Sequence, residues 1–208
     1  MSKNKNEELI DFKIITLGES LVGKTSLLRR YLENTFDDNI LSTIGLSFSF
    51  KEIILKNKEK VKLKLLDTAG QEKYRSLAKS YFKNADGVFF VYAINDENSF
   101  NKIKEWISIF KETNQRNEGI PQYLIETKND LDRVVDEEKS KEFAKNNNLK
   151  WFSTSSKDNN SVNEIFENIA ESIYQEYIKK ENKRQKSLDL NDIKRRKKQN
   201  CLNCKADN

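Results

Sequence analysis

Apolar positions along the chain alternate between two spacings, and this alternation predicts strands and helices that follow one another. Short apolar runs or strict alternation predict strands at 12–17, 48–55, 61–65, 87–94, 122–126 and 151–154. The run GVFFVYAI at 87–94 is unbroken, which is typical of a strand buried on both faces. A polar turn, KNKEK, separates the second and third segments and predicts a hairpin. The order of elements predicts an α/β fold with helices on both faces of a sheet.

Helical spacing of apolar residues recurs between the strands. It is visible at 26–32, at 100–110 and over 162–178, and a further helix is expected from Asp136 to about Ala144. Ser161 with Glu164 predicts a capping box at the start of the last helix, and Asp136 is placed to cap the helix that follows it. The apolar pattern stops after Ile178. We therefore expect a flexible N-terminus over 1–9, a folded domain over 10–178 and a disordered tail over 179–208.

Charge is distributed unevenly and narrows the possible partners. The net charge is +5, but residues 179–208 hold 11 Lys or Arg against 4 Asp or Glu, which leaves the preceding domain nearly neutral. A groove that binds nucleic acid is normally built into the fold itself, so we expect no nucleic-acid partner. A basic tail suits a membrane surface or an acidic protein.

Missing residue types exclude several kinds of chemistry. The sequence has no histidine, which excludes histidine-based triads and histidine metal ligands. Its two cysteines, Cys201 and Cys204, lie in the polar tail, where they cannot cross-link a core. No apolar run approaches the roughly 20 residues of a membrane span, and the N-terminal sequence lacks the apolar centre of a signal peptide. We therefore expect a cytosolic protein.

A phosphate-binding motif follows the first predicted strand. GESLVGKTS at 18–26 fits the pattern G-x-x-x-x-G-K-[ST] and lies between a strand and a helix, as this motif requires. Its glycines let backbone N–H groups point at phosphate oxygens, and the helix adds its positive dipole end. Lys24 is expected to reach the β- and γ-phosphates, and the Thr25 hydroxyl to ligate Mg²⁺. The expected contacts are Gly18, Glu19, Ser20, Leu21, Val22, Gly23, Lys24, Thr25 and Ser26.

Two further loops carry groups that suit a triphosphate with a bound metal ion. In DTAGQE at 67–72, Asp67 is placed to hold Mg²⁺ through water, Gly70 to offer a backbone N–H to the γ-phosphate, and Gln71 to orient an attacking water. Thr43, in the segment LSTIG, is expected to add a second hydroxyl to Mg²⁺. Gln71, Lys24 and Thr43 are the expected catalytic group.

The loops after the last two strands predict the base. In IETKNDL at 125–131, Asp130 is expected to accept hydrogen bonds from the N1–H and N2–H₂ groups of guanine, a donor pair that adenine lacks. In TSSK at 154–157, the Ser155 hydroxyl is expected to brace Asp130, and the Ser156 N–H to donate to guanine O6. Lys128 is expected to lie along the ring plane. The expected base contacts are Thr127, Lys128, Asp130, Ser155, Ser156 and Lys157.

Together these motifs resemble the small GTPases, and within them the Rab branch. The resemblance covers residues 10–178 and rests on GESLVGKTS, STIG, LLDTAGQEKYRSL, TKND and TSSK, with Rab-like segments IGLSF, DTAGQEKYRSLAKSYF, FVYAIN and IKEWI. It implies the P-loop NTPase fold of small G proteins, with a six-stranded, mostly parallel sheet and five helices. It also implies GTP or GDP with Mg²⁺ as cofactors, and that Phe36 stacks against the guanine edge.

The resemblance further implies a function and partners. A Rab-like protein binds GTP, hydrolyses it slowly without a partner, and acts as a switch in vesicle trafficking on the cytosolic face of an internal membrane. Effectors are expected to contact Ile44–Phe48 and Lys73–Tyr81, because the γ-phosphate controls the conformation of these loops. A GTPase-activating protein and an exchange factor are expected as well.

Several residues depart from the family pattern. Thr127 stands where asparagine is usual, and Leu21 where a smaller residue is usual. Many Rabs have an aromatic surface triad, and here Phe48 and Tyr81 match it while Leu66 replaces its tryptophan.

The tail also departs from the pattern. It ends in CLNCKADN, whereas Rabs typically carry a cysteine pair at or very near the terminus. Cys201 and Cys204 are candidate lipidation sites, and the basic run Lys194–Lys198 would strengthen such an anchor by roughly 1 kcal/mol per charge on an anionic membrane. The alternative is a pair of exposed, unmodified thiols.

Two other functions fit parts of the pattern. One is a GTPase-like binding module that hardly hydrolyses its nucleotide, which the presence of Gln71, Thr43 and Lys24 disfavours. The other is a P-loop ATPase or small-molecule kinase with a nucleic-acid-binding tail, which TKND, TSSK and the nearly neutral domain disfavour. Single-turnover hydrolysis tests the first alternative, and competition between GTP and ATP tests the second.

Overall fold

A computed structural model describes residues 9–37, 46–68, 80–114 and 119–203, with side chains as far as Leu188. Within these ranges the strands are β1 Ile10–Leu17, β2 Leu46–Ile54, β3 Lys60–Thr68, β4 Gly87–Ala93, β5 Gln122–Thr127 and β6 Lys150–Ser153. The helices are α1 Lys24–Glu33, α2 Glu97–Asn101, α3 Ile103–Thr113, α4 Glu137–Asn146 and α5 Asn159–Asn203. All six predicted strands and the four predicted helical segments have counterparts in this list.

The strands form one sheet in the order β2-β3-β1-β4-β5-β6. The hairpin strands β2 and β3 pair antiparallel, and every other pairing is parallel. This confirms the predicted six-stranded, mostly parallel sheet. Since β3 runs parallel to β1, the carboxyl ends of five strands meet at one edge of the sheet. We call this edge the carboxyl edge; it is where open α/β sheets bind their ligands.

The core is built around the central strand β4. All seven of its residues are buried, as the unbroken apolar run predicts. Phe90 packs edge-on against Phe110 of α3 on one side, and Phe89 packs edge-on against Phe166 of α5 on the other. A β-carbon on Gly87 would lie 2.8 Å from Cδ1 of Ile173, so the missing side chain lets α5 approach the sheet closely.

Two predicted helix caps have different outcomes. Asp136 does cap α4, because its side chain accepts from the Lys139 N–H at 2.8 Å. The capping box of Ser161 is wrong, because α5 begins two residues earlier and Asp158 accepts from the Asn160 N–H at 3.0 Å. The Ser161 hydroxyl instead lies 2.7 Å from that of Thr154.

The chain divides into two compact units, residues 1–173 and 174–208. In the second unit, α5 continues to Asn203, where the apolar pattern predicts disorder from residue 179. Apolar periodicity detects only helices that pack against a core, and it ends at Ile178. The segment beyond is rich in residues with high intrinsic helix propensity, such as Lys, Arg, Glu and Gln, which favour a helix without that pattern. Ion pairs one turn apart add to that propensity, Lys179 with Glu176 at 2.6 Å and Arg184 with Glu181 at 3.9 Å. Among the helices of the described ranges, none is long and apolar enough to cross a membrane.

Candidate functional site

The phosphate loop connects the end of β1 to the first turn of α1, and its backbone explains its two glycines. Gly23 has φ 95°, in the left-handed region that favours glycine. A β-carbon on Gly18 would lie 2.1 Å from the carbonyl oxygen of Val91, so any side chain there collides with β4. Leu21 also has a positive φ, 63°, and its side chain is exposed. The loop therefore needs glycine where the chain turns and where it passes β4.

Lys24 extends from the first turn of α1 back across this loop. Its ammonium group donates to the carbonyl oxygens of Gly18 at 3.0 Å and Glu19 at 2.6 Å, and the residue is only 5% exposed. Burial lowers the pKa of Lys24 from 10.5 to about 8, against the opposing effect of the carboxylates of Asp67 and Glu19. A cation held in low dielectric under a loop is suited to meet an anion there.

Asp67, near the end of β3, lies beside the phosphate loop. Its Oδ2 accepts from the Thr25 hydroxyl at 2.8 Å, whereas its Oδ1 is buried and has no hydrogen-bond partner within the described residues. Burial raises the pKa of Asp67, although Thr25 and Lys24 oppose that shift. Because hydroxyl and carboxylate oxygens are the ligands Mg²⁺ prefers, a carboxylate oxygen that lacks a partner beside a threonine fits a magnesium site.

Glu19 has a role that the motif alone does not indicate. Its carboxylate accepts from the indole N–H of Trp106 in α3 at 2.9 Å. The side chain therefore joins the phosphate loop to α3, while the Glu19 backbone carbonyl accepts from Lys24. Helical periodicity predicts that Trp106 is a core residue, but it does not indicate this polar contact.

Asp130 lies on the same carboxyl edge, in the loop after β5. The Ser155 hydroxyl donates to its Oδ1 at 2.6 Å, which confirms the predicted brace. The Lys157 ammonium lies 2.9 Å from its Oδ2 and 5.6 Å from the centre of the Phe36 ring. Burial acts to raise the pKa of Asp130, but the hydrogen bonds from Ser155 and Lys157 outweigh it and hold that pKa below its usual value. Asp130 is therefore a carboxylate at neutral pH.

Thr127 connects the base loop to the phosphate loop. It is 1% exposed, and its hydroxyl is 2.5 Å from the Val22 carbonyl oxygen and 2.9 Å from that of Tyr92. A hydroxyl has one proton, so these two buried acceptors share it. Thr127 therefore ties the phosphate loop to strands β4 and β5.

Three further residues at this edge are not part of the predicted site. Glu126 is fully buried directly before Thr127, and Arg133 approaches it from the following loop at 2.7 Å. An acid inside an apolar strand run is visible in the sequence, but its partner is not. Arg30 of α1 donates through Nε to the Ser156 carbonyl oxygen at 2.6 Å and so holds the 154–157 loop.

The structure thus brings most of the predicted site residues together on one edge. The described members are Gly18, Glu19, Ser20, Leu21, Val22, Gly23, Lys24, Thr25, Ser26, Phe36, Asp67, Thr127, Lys128, Asp130, Ser155, Ser156 and Lys157. Thr43, Gly70 and Gln71 lie outside the described residues, as do residues 44–45 and 73–79 of the predicted effector surface and Cys204. Cys201 lies in α5, beyond the last described side chain.

Comparison with known proteins identifies the family. The sequence matches the Ras family over residues 13–175. It is 41% identical to the Ras-related protein Rab-11B of Dictyostelium discoideum over 181 residues, 86% of this chain and 80% of that protein. It is 38% identical to the Ras-related protein SEC4 of Saccharomyces cerevisiae (77% and 74% covered) and 37% identical to the GTP-binding protein ypt1 of Schizosaccharomyces pombe (74% and 76%). The chain is a Rab-type small GTPase of the Ras family.

Family membership gives the general function of this Rab-type GTPase. Its members bind GTP and GDP, have GTPase activity and work with regulators and effectors in vesicle trafficking. The prediction of a small GTPase is therefore confirmed, and the alternative of an ATPase or kinase is wrong.

Proposed function

We propose that this protein is a GTP-hydrolysing switch whose nucleotide lies along the carboxyl edge of the sheet, from Lys24 to Asp130. The observation that carries the proposal is the pair of carboxylates on that edge. Asp67 has a buried oxygen without a described partner, beside the Thr25 hydroxyl, and Asp130 is held ionised by Ser155. The first suits a metal ion, and the second suits two ring N–H donors.

Lys24 neutralises phosphate charge in this proposal. Its ammonium already points into the loop that would surround the phosphates, where it donates to backbone carbonyls. Phosphate oxygens would replace those carbonyls as acceptors, and their negative charge would raise the lowered pKa of Lys24. The lysine therefore stays protonated through the reaction and acts as an electrostatic stabiliser rather than as a base.

Thr25 and Asp67 are the described residues that would hold Mg²⁺, with Thr43 as a further predicted ligand. The Thr25 hydroxyl, now bonded to Asp67, would turn its oxygen toward the ion, and Asp67 would act directly or through water. Mg²⁺ supplies neutralisation of charge that develops on the phosphate oxygens. The positive charge of the ion would then stabilise the Asp67 carboxylate and so oppose the rise in its pKa that burial causes.

Gln71 and Gly70 complete the proposed hydrolysis and switch. We expect Gln71 to orient water and the Gly70 N–H to contact the γ-phosphate. The phosphate loop holds no arginine, so turnover without a partner should be slow, on the order of 10⁻⁴–10⁻³ s⁻¹, the scale of the related protein Ras. A GTPase-activating protein that supplies an arginine would add a factor of about 10³–10⁵, and an exchange factor would release GDP.

Effectors are proposed to read Ile44–Phe48 and Lys73–Tyr81. The described part of this surface holds two rings, Phe48 and Tyr81, with centroids 6.0 Å apart, and the Lys64 ammonium lies 4.4 Å from the centre of the Phe48 ring. Leu66, which replaces the family tryptophan, is fully buried. The surface therefore offers two aromatic rings beside a cation, and we expect partners to differ from those that require the full triad.

The tail is proposed to hold the protein on the cytosolic face of an internal membrane, through lipid on Cys201 and Cys204. The basic run Lys194–Lys198 favours an anionic membrane surface. Mass spectrometry of the C-terminal peptide from native material measures the modification directly. Replacing both cysteines with serine should release the protein from membranes, and unmodified cysteines in the native peptide would contradict the proposed anchor.

Titration calorimetry and single-turnover kinetics test the nucleotide proposal. With Mg²⁺ present, we expect tight binding of GDP and GTP, no competition from ATP, and slow conversion of bound GTP to GDP. Binding without hydrolysis in the presence of an activating protein would favour the binding module instead. Absence of heat with both guanine nucleotides on folded protein would refute the proposal.

A further inference from the structure

A buried carboxylate, Glu126, lies directly before the base loop and is outside the predicted site. It belongs to β5, is 0% exposed, and accepts four hydrogen bonds. The donors are Nη1 and Nη2 of Arg133 at 2.9 and 2.7 Å, the Tyr92 hydroxyl at 2.6 Å and the Ser153 hydroxyl at 2.8 Å. Burying a carboxylate is costly unless its oxygens are paired, and here the guanidinium fork binds both.

These donors come from both sides of the loop that carries Asp130. The chain leaves β5 just after Glu126, passes through the loop, and returns to Glu126 through Arg133, three residues beyond Asp130. Arg133 also donates to the Val135 carbonyl oxygen at 3.0 Å, which fixes the outgoing end of the loop. The base loop is therefore closed at its foot by one ion pair.

Glu126 also holds the neighbouring loop that braces Asp130. Its backbone carbonyl accepts from the Thr154 N–H at 2.8 Å, and its side chain binds Ser153. Ser155, which follows Thr154, donates to Asp130. Asp130 is thus connected to Glu126 by two routes, one through Arg133 and one through the Ser153–Ser155 segment.

We propose that Glu126 and Arg133 are positioning residues that close the base loop and fix the direction in which Asp130 meets guanine. The proposal rests on the proposed function, because it assigns the source of base selectivity within the proposed pocket. Neither residue touches the base; both act through Asp130. If the cluster only stabilised the fold, replacing either residue would lower the free energy of unfolding and leave base selectivity unchanged.

Selectivity for the purine N2 amino group is the measurement that separates these roles. IDP lacks that group, so the ratio of GDP to IDP affinity reports the second hydrogen bond to Asp130. We would measure this ratio, the GDP dissociation rate and the free energy of unfolding for full-length protein with Mg²⁺. Hydrogen exchange at the amides of Asn129 and Leu131, which bond to Thr154 and Lys128, follows the loop without nucleotide.

Arg133 is the residue to change first, because its own side chain is 32% exposed and the Tyr92 and Ser153 hydroxyls still donate to Glu126 after its replacement. In Arg133→Gln we expect the GDP to IDP ratio to fall about tenfold, GDP to dissociate about tenfold faster, and the two amides to exchange faster. Arg133→Lys keeps the charge but not the fork, so it should recover part of each change. Glu126→Gln removes the charge from the other partner and should lower the ratio similarly.

Tyr123→Phe is the matched control. Tyr123 lies on the same strand and is buried, and its hydroxyl bonds to Ser172 at 3.0 Å, away from the base loop. It should lower stability and leave the ratio unchanged. If Arg133→Gln behaves like this control, the proposal is overturned, even where Glu126→Gln fails to fold. Wild-type protein that binds neither GDP nor IDP overturns the proposed function as well, so the two failures are distinguishable.

Discussion

Thr127 leads to a prediction about which atoms of the purine are recognised. An asparagine amide, usual at this position in the family, has two protons and can donate to the protein and to a purine acceptor at once. The Thr127 hydroxyl has only one proton. Its oxygen lies 2.5 Å from the Val22 carbonyl oxygen and 2.9 Å from the Tyr92 carbonyl oxygen, so both of these acceptors compete for that proton. Because N7 of guanine only accepts hydrogen bonds, we predict that Thr127 makes no bond to it.

The magnitude follows from what the hydroxyl would give up. Turning its proton toward the ligand would leave a buried carbonyl unpaired, which costs about 1–3 kcal/mol. A neutral hydrogen bond to N7 would contribute about 0.5–1.5 kcal/mol net. Since the cost exceeds the gain, GDP and 7-deaza-GDP, in which carbon replaces N7, should bind with affinities within about threefold of each other.

Competition of the two nucleotides for the protein with Mg²⁺ measures this directly. Thr127→Asn should create a preference for GDP over 7-deaza-GDP of about fivefold or more, because one amide proton becomes available to N7. Thr127→Ser, which keeps a single hydroxyl proton, is the control and should bind both nucleotides equally. A tenfold loss of affinity for 7-deaza-GDP in the wild-type protein would refute the reasoning.

Three further predictions concern the same edge of the sheet. Asp130→Asn should shift preference from guanine to xanthine nucleotides, because its amide donor suits a carbonyl at purine C2; unchanged selectivity in competition binding would remove Asp130 from its role. Gly18→Ala should destabilise the fold by about 1–3 kcal/mol in denaturant unfolding, since its β-carbon meets the Val91 carbonyl oxygen; wild-type stability would contradict the 2.1 Å approach. Lys24→Met should change the pH dependence of nucleotide-free protein. The unfolded chain keeps this proton to about pH 10.5 and the folded protein only to about pH 8, so wild-type stability should rise between these values by up to about 3 kcal/mol relative to the variant. A constant difference between wild type and Lys24→Met across this range would contradict the lowered pKa.

Much of the fold follows from local pattern. The unbroken run at 87–94 is the central strand because an apolar segment of that length is stable only when both faces are covered. The motif glycines and Lys24 fall between β1 and α1 because the pattern requires that context. Asp130 and Ser155 are about 25 residues apart in sequence but meet because both follow parallel strands. For these residues, a position just after a parallel strand is enough to predict a place on the carboxyl edge.

What the sequence does not predict depends on contacts between distant elements. Glu126 is visible as an acid in an apolar run, but its four donors come from three other segments, and no spacing rule selects Arg133 among nearby charged residues. Helical spacing predicts only that Trp106 is a core side chain, and the hydrogen bond from its indole to Glu19 is visible only in the structure. The helix beyond Ile178 differs from expectation because apolar periodicity does not measure intrinsic helix propensity.

The two buried charges beside the phosphate loop connect binding to stability. Burial lowers the pKa of Lys24 and raises that of Asp67, so the protein alone holds both charges at a cost. The negative charge of a triphosphate would stabilise the Lys24 ammonium, and the positive charge of a magnesium ion would stabilise the Asp67 carboxylate. Each ligand would therefore oppose the change in pKa that burial causes. Ligand that binds only the folded state at about a thousand times its Kd stabilises that state by about 4 kcal/mol. We therefore expect the stability of the fold to depend on bound nucleotide, because the charges proposed to bind phosphate and metal are costly to bury when no ligand is present.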